Sequence, residues 1–265
     1  MDIKQLFKDI FTLNFKSFGL RIQKLKAVLK RKFMLPKNNF GTTKDIRQIP
    51  IIINNRNRLT FMLQLIEWLE KNGYTNIYIV DNDSTYPPLL EYYAKTSHKI
   101  FKLNENVGHL AFWKAGIYKQ FQNDYYVYTD PDVVPVEDCP ADVLSFFMEQ
   151  LKTLPAIEKI GFGLKIDDLP DHYVDKKKVI DWEKNYWKKE IKKDVYDAEL
   201  DTTFALYRPY TIGSVWVQRA YRTGGKYVAR HLPWYENSAN PTAEDKYYFD
   251  HVRKGASHWI NPKAK

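Results

Sequence analysis

Two aspartates one residue apart, Asp130 and Asp132, close the aromatic run Tyr125-Tyr-Val-Tyr-Thr129 and flank Pro131. Tyr126 to Thr129 predicts a short buried strand, rich in strand formers and stopped by the proline. Side chains at i and i+2 of an extended chain point the same way. Both carboxylates can therefore face one hard cation, Mn2+ or Mg2+, or a diphosphate that shares it. Taken alone, an Asp-x-Asp is more simply a turn with two solvated aspartates, so its surroundings decide.

Those surroundings alternate between strands and helices. Ile49 and Ile51 to Ile53 make a short apolar strand of the kind buried in a parallel sheet. Leu59 to Asn72 predicts an amphipathic helix with Thr60 as cap and Gly73 as terminator. Strands follow at Asn76–Val80 and Lys99–Leu103, separated by a helix over Pro88–Ser97. A helix over His109–Phe121 leads to the Tyr126–Thr129 strand. This order predicts a doubly wound α/β layer, in which ligands sit outside the carboxyl ends of the strands. The polar residues collect there: Asn54, Asn55 and Arg56; Asp81 to Ser84; Asn106 to Gly108; and Asp130 with Asp132. Four strand ends converging on one place are far more specific than any one of these motifs.

The stretches Ile49-Pro-Ile-Ile-Ile-Asn-Asn-Arg-Asn-Arg58, Ile79-Val-Asp-Asn-Asp-Ser-Thr85, Asn106-Val-Gly-His109 with Lys114-Ala-Gly116, and Thr129-Asp-Pro-Asp-Val-Val-Pro135 resemble GT-A-fold glycosyltransferases. They are closest in pattern to glycosyltransferase family 2 and related bacterial polysaccharide enzymes. Residues 47–137 carry most of the resemblance, and Ala243-Glu-Asp-Lys246 adds a weaker match. It implies a GT-A α/β fold and a nucleotide-sugar donor, a UDP-sugar first. Asp81 and Asn82 would meet the base, and the loop of Asn54, Asn55 and Arg56 would hold base and ribose. Asn106 and Gly108 would complete the donor site. Asp130 would lie near ribose and metal, and Asp132 would ligate Mn2+ or Mg2+ on the diphosphate. The pair Glu244 and Asp245 resembles the acidic pair of inverting relatives, with Asp245 taking the acceptor proton. An alcohol needs such a base during attack; an acid at a helix N-terminus is the competing explanation. His258 stands where relatives place a metal-binding histidine.

On the acceptor side the candidates are His231, Trp234 and Tyr235, in a rigid aromatic segment, and Asp168, in a second acidic loop. Trp216 and Trp234 are equally core residues, and His251 is a helix-face residue. Ile160–Ile166 predicts a strand in which Gly161 and Gly163 allow close backbone approach. Lys176–Lys193 predicts a charged helix, Asp201–Tyr207 a strand, Thr223-Gly-Gly225 a turn, and Asp245–Arg253 a helix.

The chain has 265 residues and a net charge of +9. Ten Lys/Arg against two acids in residues 1–37 give that segment +8 and leave the rest near neutral. Ile3, Phe7, Ile10, Phe11, Phe15, Phe18, Ile22, Leu25 and Leu29 recur at helical spacing, in one helix or in two broken near Asn14 or Gly19. This predicts a basic amphipathic helix, too short in its apolar runs for the roughly 18–20 residues of a membrane span. It suits an anionic membrane surface, with docking on the chain's own body or on a partner as the alternative. Residues 45–265 then form the GT-A domain, with 45–137 the donor half and 138–265 the acceptor half. The single cysteine, Cys139, excludes a disulfide framework and a multi-cysteine zinc site, and fits a reducing cytosol. The expected setting is the inner face of the cell membrane, a lipid-linked glycan as acceptor and no nucleic acid. Two other functions compete. A sugar-1-phosphate nucleotidyltransferase shares this kind of sheet but wants a Gly-rich loop where Asn54–Arg58 has none. A non-catalytic carbohydrate- or membrane-binding protein would not need Asp130, Asp132 and Asp245 together.

Overall fold

The computed structural model describes residues 18–34, 46–154, 157–211 and 219–252. The isoleucine run forms β1 (Ile51–Asn55), buried at every position. Alternate side chains of β1 enter opposite layers. Ile51 and Ile53 pack with Met62, Leu65 and Leu69, and Ile52 packs with Val80, Phe112 and Tyr128. Burial on both faces is why this strand is continuous in apolar residues rather than alternating. Helix α2 (Thr60–Lys71) buries Phe61, Met62, Leu65, Ile66 and Leu69, and Gly73, at φ +82°, ends it as the sequence predicts.

Next come β2 (Ile77–Asp81), α3 (Pro87–Lys95), β3 (Lys99–Lys102), α4 (Ala111–Lys114) and β4 (Tyr126–Thr129). Strands β3, β2, β1 and β4 are parallel neighbours in that order, so the expected α/β layer is present. The helix expected over 109–121 is instead α4 and a 3-10 turn. Gly116, at φ +73°, breaks it between the two.

The second half departs from simple winding. After β5 (Val133–Pro135), α5 (Val143–Thr153) and β6 (Lys159–Leu164) come α6 (Lys176–Glu183), β7 (Glu190–Lys192), β8 (Val195–Asp197), β9 (Ala205–Tyr207), β10 (Ala220–His231) and α7 (Ala243–His251). The sheet order is β3-β2-β1-β4-β9-β6-β10-β8-β7, with β5 on β10. β9 runs antiparallel between β4 and β6. Gly161 permits this closeness, since a Cβ there would lie 2.2 Å from the Phe204 carbonyl oxygen.

Two expectations fail here. The helix over 176–193 stops at Glu183 and gives way to a 3-10 turn and β7, because Trp187 turns in to lie against Gly163, Gly224 and Tyr196. The Thr223–Gly225 turn is a bulge inside β10, where the register on β6 shifts between Thr223 and Val228.

Helix α1 (Phe18–Met34) runs through Gly19 without a break. It docks on the body: Ala27 and Val28 are buried, and Arg31 pairs with Glu158 and donates to the Pro209 carbonyl at 2.6 Å. Ile22 and Leu29 face outward, 39% and 41% exposed. No described helix is long and apolar enough to cross a membrane.

Candidate active site

Register fixes the rim of the site. Asn55 pairs with Asp81 across β1 and β2, and Ile53 pairs with Thr129 across β1 and β4. The carboxyl ends of β2, β1 and β4 are therefore level, and Asp81, Asn54 and Asp130 stand on one edge. The following loops are tied together by side chains. The Asn57 side-chain oxygen accepts from the N–H groups of Thr85 and Tyr86 at 2.7 and 3.0 Å. Asn82 accepts from Val107 N–H at 2.9 Å and donates to the Gly108 carbonyl at 3.0 Å. Asn106 accepts from the Gly108 N–H at 3.0 Å, and Gly108 holds φ +83°. Asn82, Asn106 and Gly108 thus form a clasp that sets the loop after β3.

Asn55 does not face this rim. It is 0% exposed and its amide donates to Tyr93 Oη at 3.0 Å and Met62 Sδ at 3.2 Å. It braces β1 against α2 and α3, because strand alternation turns it away from Asn54. Arg56 reaches across to the His251 carbonyl at 2.7 Å. Asp81 is 4% exposed, with Oδ1 lacking a hydrogen-bond partner. Burial raises its pKa against a smaller opposing effect from Ser84.

Asp130 is held by one residue. Its N–H donates to the Thr202 carbonyl at 3.1 Å, and its Oδ2 accepts from Thr202 Oγ1 at 2.6 Å. Burial, then the charge of Asp132, pushes the Asp130 carboxyl well above the usual range. Asp132 is placed by the short ladder of β5 on β10, in which Val133 pairs with His231. The Asp132 carbonyl accepts from Leu232 N–H at 2.8 Å. Its Oδ2 lies 3.6 Å from His231 Nε2, and its Oδ1 has no partner. Burial holds the His231 imidazole below its ordinary pKa, against the attraction of Asp132, and its Nδ1 has no hydrogen-bond partner.

Two crowded carboxylates with an unpartnered oxygen suit a hard divalent cation. Among the described residues no group of three His, Cys, Asp or Glu side chains forms a ready-made metal cage. The fit is to a cation shared with a ligand, the remaining positions coming from ligand oxygens and water. His258 and Trp216 lie outside the described residues.

The acceptor-side candidates divide. Trp234 is 1% exposed beneath His231, with ring centroids 4.6 Å apart. It is a core residue that shapes the His231 turn, and no sugar can stack on it. Tyr235 Oη donates to Asp168 Oδ1 at 2.5 Å. Asp168 also receives Arg230 at 2.8 and 3.1 Å. Burial opposes ionisation of Asp168, but these bonds outweigh it and lower its pKa. Tyr235 and Asp168 are thus brought together, with their polar groups already engaged.

The Glu-Asp pair is also engaged. Glu244, 7% exposed, accepts from the N–H groups of Leu59 and Thr60 at 3.1 and 3.0 Å and from Thr60 Oγ1 at 2.8 Å. It caps α2 from across the fold, where the sequence suggests Thr60 as cap. Asp245 is at once the third residue of a capping box and an ion-pair partner. Its Oδ2 accepts from Thr242 N–H and Oγ1 at 3.1 and 2.6 Å, and its Oδ1 accepts from Arg58 at 2.5 Å. Burial opposes its ionisation, but Thr242 and Arg58 prevail and lower its pKa. Arg58, 4% exposed, lies over the Tyr248 ring at 3.9 Å.

Three residues that the sequence does not single out therefore belong to the site: Arg58, Thr202 and Tyr248. Arg58 stands inside the first loop, which is its only signal. Thr202 is hidden in a stretch whose strand formers predict β structure up to Tyr207, while β9 begins only at Ala205.

No protein-family model matches the sequence, and no curated protein matches it. Solved structures do resemble its fold. Against residues 1–349 of S. aureus TarS the identity is 14%, over 69% of this chain and 59% of that one, with a TM-score of 0.40. GalNAc-T7 with UDP, GalNAc and Mn2+ gives 10%, over 66% and 42%, with a TM-score of 0.41. Apo UDP-glucose pyrophosphorylase gives 9%, over 77% and 100%, with a TM-score of 0.42. This chain thus spans about three-fifths of the TarS chain and under half of the GalNAc-T7 chain. At these identities and scores the likenesses bear on neither substrate nor mechanism.

Proposed function

We propose that the chain is a GT-A-type glycosyltransferase that moves a sugar from a nucleotide sugar, a UDP-sugar first, to a hydroxyl of a glycan or lipid-linked glycan. One observation carries this reading. Asp81, Asp130 and Asp132 stand at the carboxyl edge of the parallel strands, and buried oxygens of Asp81 and Asp132 have no protein partner. Leaving such oxygens unmet is costly, and a nucleotide with a divalent cation supplies what each lacks. Asp81 can accept the imide N–H of a uracil, and Asn54 and Arg56 border the same edge. Asp130 and Asp132 would hold Mn2+ or Mg2+ against the donor diphosphate. When bound, that cation offsets the charge that builds on the departing diphosphate. Thr202 fixes the direction of Asp130, and the His231 ring backs Asp132.

An inverting transfer is the course the family resemblance implies. The +8 of residues 1–37 and the outward Ile22 and Leu29 of α1 support docking on an anionic membrane surface, as in bacterial surface-polysaccharide assembly. The direct test is release of UDP from UDP-glucose, UDP-galactose and UDP-N-acetylglucosamine with Mn2+ or with chelator. Metal-dependent release from one of them, absent in Asp132→Ala, is expected. Equal release with chelator, or from the variant, contradicts the reading.

A further inference from the structure

The stretch between β8 and β9, residues 198–204, forms neither strand nor helix, yet Ala198, Leu200, Thr202 and Phe204 are buried. Its carbonyls have no ladder to meet them, so other donors must. Two are backbone groups: the Thr202 carbonyl accepts the Asp130 N–H and the Phe204 carbonyl accepts the Phe162 N–H, each at 3.1 Å. Two are buried basic side chains: Arg222 Nε donates to the Glu199 carbonyl and Lys159 Nζ to the Asp201 carbonyl, each at 2.7 Å. Arg222 also pairs with Glu183 at 2.7 Å. Among the described residues, Lys159 donates only to Asp201 and, at 3.2 Å, to Tyr207 Oη. Lysine is almost never fully buried unless it is paired. Lys159 is fully buried, and its nitrogen is spent on a carbonyl and a phenol rather than a carboxylate.

The Asp201 carbonyl and the Thr202 N–H belong to one planar peptide. Holding that carbonyl therefore sets the plane from which Thr202 departs, and Thr202 Oγ1 in turn donates to Asp130 Oδ2 at 2.6 Å. Two hydrogen bonds and the short backbone between them link Lys159 to Asp130. Resting on the glycosyltransferase reading above, we infer that Lys159 is a positioning residue: it anchors the Asp201–Thr202 peptide and so fixes the Asp130 carboxylate that would hold the cation against the donor diphosphate. It acts through Thr202 alone. Residues in one hydrogen-bonded network are coupled, so substitutions along it are non-additive. Tyr207 lies off this path.

The test measures UDP binding by calorimetry on the full chain, with Mn2+ and with chelator. Lys159→Met keeps the length of the side chain and removes the donor. It is expected to weaken Mn2+-dependent UDP binding by roughly 10-fold, the scale of losing a hydrogen bond from a charged donor, and to leave binding in chelator unchanged. In a Thr202→Val background Lys159→Met should weaken binding no further, because the path is already cut. Tyr207→Phe should bind as wild type. A lysine that only supports the core would change stability without this coupling to Thr202. Lys159→Gln, whose amide ends one bond short of Nζ, should fall between wild type and Lys159→Met, and it replaces Lys159→Met in both backgrounds if that variant does not fold. Wild-type binding in the folded variant overturns the inference, and so does an equal loss in the Thr202→Val background. If wild type itself shows no Mn2+-dependent UDP binding, the glycosyltransferase reading fails and takes this inference with it, an outcome visible before any variant is compared.

Discussion

Thr202 grips Asp130 twice: its hydroxyl donates to Oδ2 at 2.6 Å and its carbonyl accepts the Asp130 N–H at 3.1 Å. One carboxylate oxygen is thereby fixed and the other is left to a ligand. Thr202→Val keeps the shape but removes the donor. A hydrogen bond to a charged group contributes about 1.5–3 kcal/mol, so UDP affinity in the presence of Mn2+ should fall roughly 10- to 100-fold. Thr202→Ser should bind as wild type. Calorimetry decides, and unchanged affinity in Thr202→Val would show that Asp130 is oriented by something else.

Behind that grip lies Lys159, which is 0% exposed. Its Nζ donates to the Asp201 carbonyl at 2.7 Å and Tyr207 Oη at 3.2 Å. Burial pushes the ammonium down to about 7, against a smaller pull upward from Asp201. An unfolded lysine titrates near 10.4. Between about pH 7 and 10 the unfolded chain binds more protons, so stability from this group rises with pH, by up to roughly 1.4 kcal/mol per unit. It is lost as pH falls through the folded value. Lys159→Met should remove that slope, so wild type should gain stability over the variant between pH 7 and 9 in urea unfolding. Parallel curves would contradict the buried, weakly basic lysine.

Glu244 predicts a separation of stability from binding. It supplies the cap of α2 from another part of the chain. Loss of a cap costs about 0.5–2 kcal/mol, and in a chain of this size each kcal/mol moves Tm by about 2–4 °C. Glu244→Ala should melt several degrees lower while UDP affinity holds. An unchanged Tm with lost affinity would instead place Glu244 in the donor site.

Much of this was legible in the residues. The Ile51–Ile53 run, the Tyr126–Thr129 strand and the polar strand ends identify the parallel half and its carboxyl edge, because burial and strand order are local patterns. What was not legible depends on contacts across the chain. Glu244 and Thr60 are 184 residues apart and still make the α2 cap. A helix-initial Glu-Asp pair gives no sign that Arg58 and Thr242 will occupy the aspartate. Trp187 ends the helix over 176–193 by packing on Gly163, a pairing with no sequence signal. Trp234 resembles a sugar platform until its burial is known.

Asp130 and Asp132 are proposed to hold a nucleotide through a divalent cation. Thermal stabilisation of wild type and Asp132→Ala by UDP, GDP and CMP, each with Mn2+ and with chelator, tests it most directly. A ligand at 100 times its dissociation constant adds about 2.7 kcal/mol, a readily measured shift. The predicted result is a Mn2+-dependent shift with UDP in wild type that disappears in Asp132→Ala. No shift with any nucleotide, or an equal shift in the variant, would contradict it.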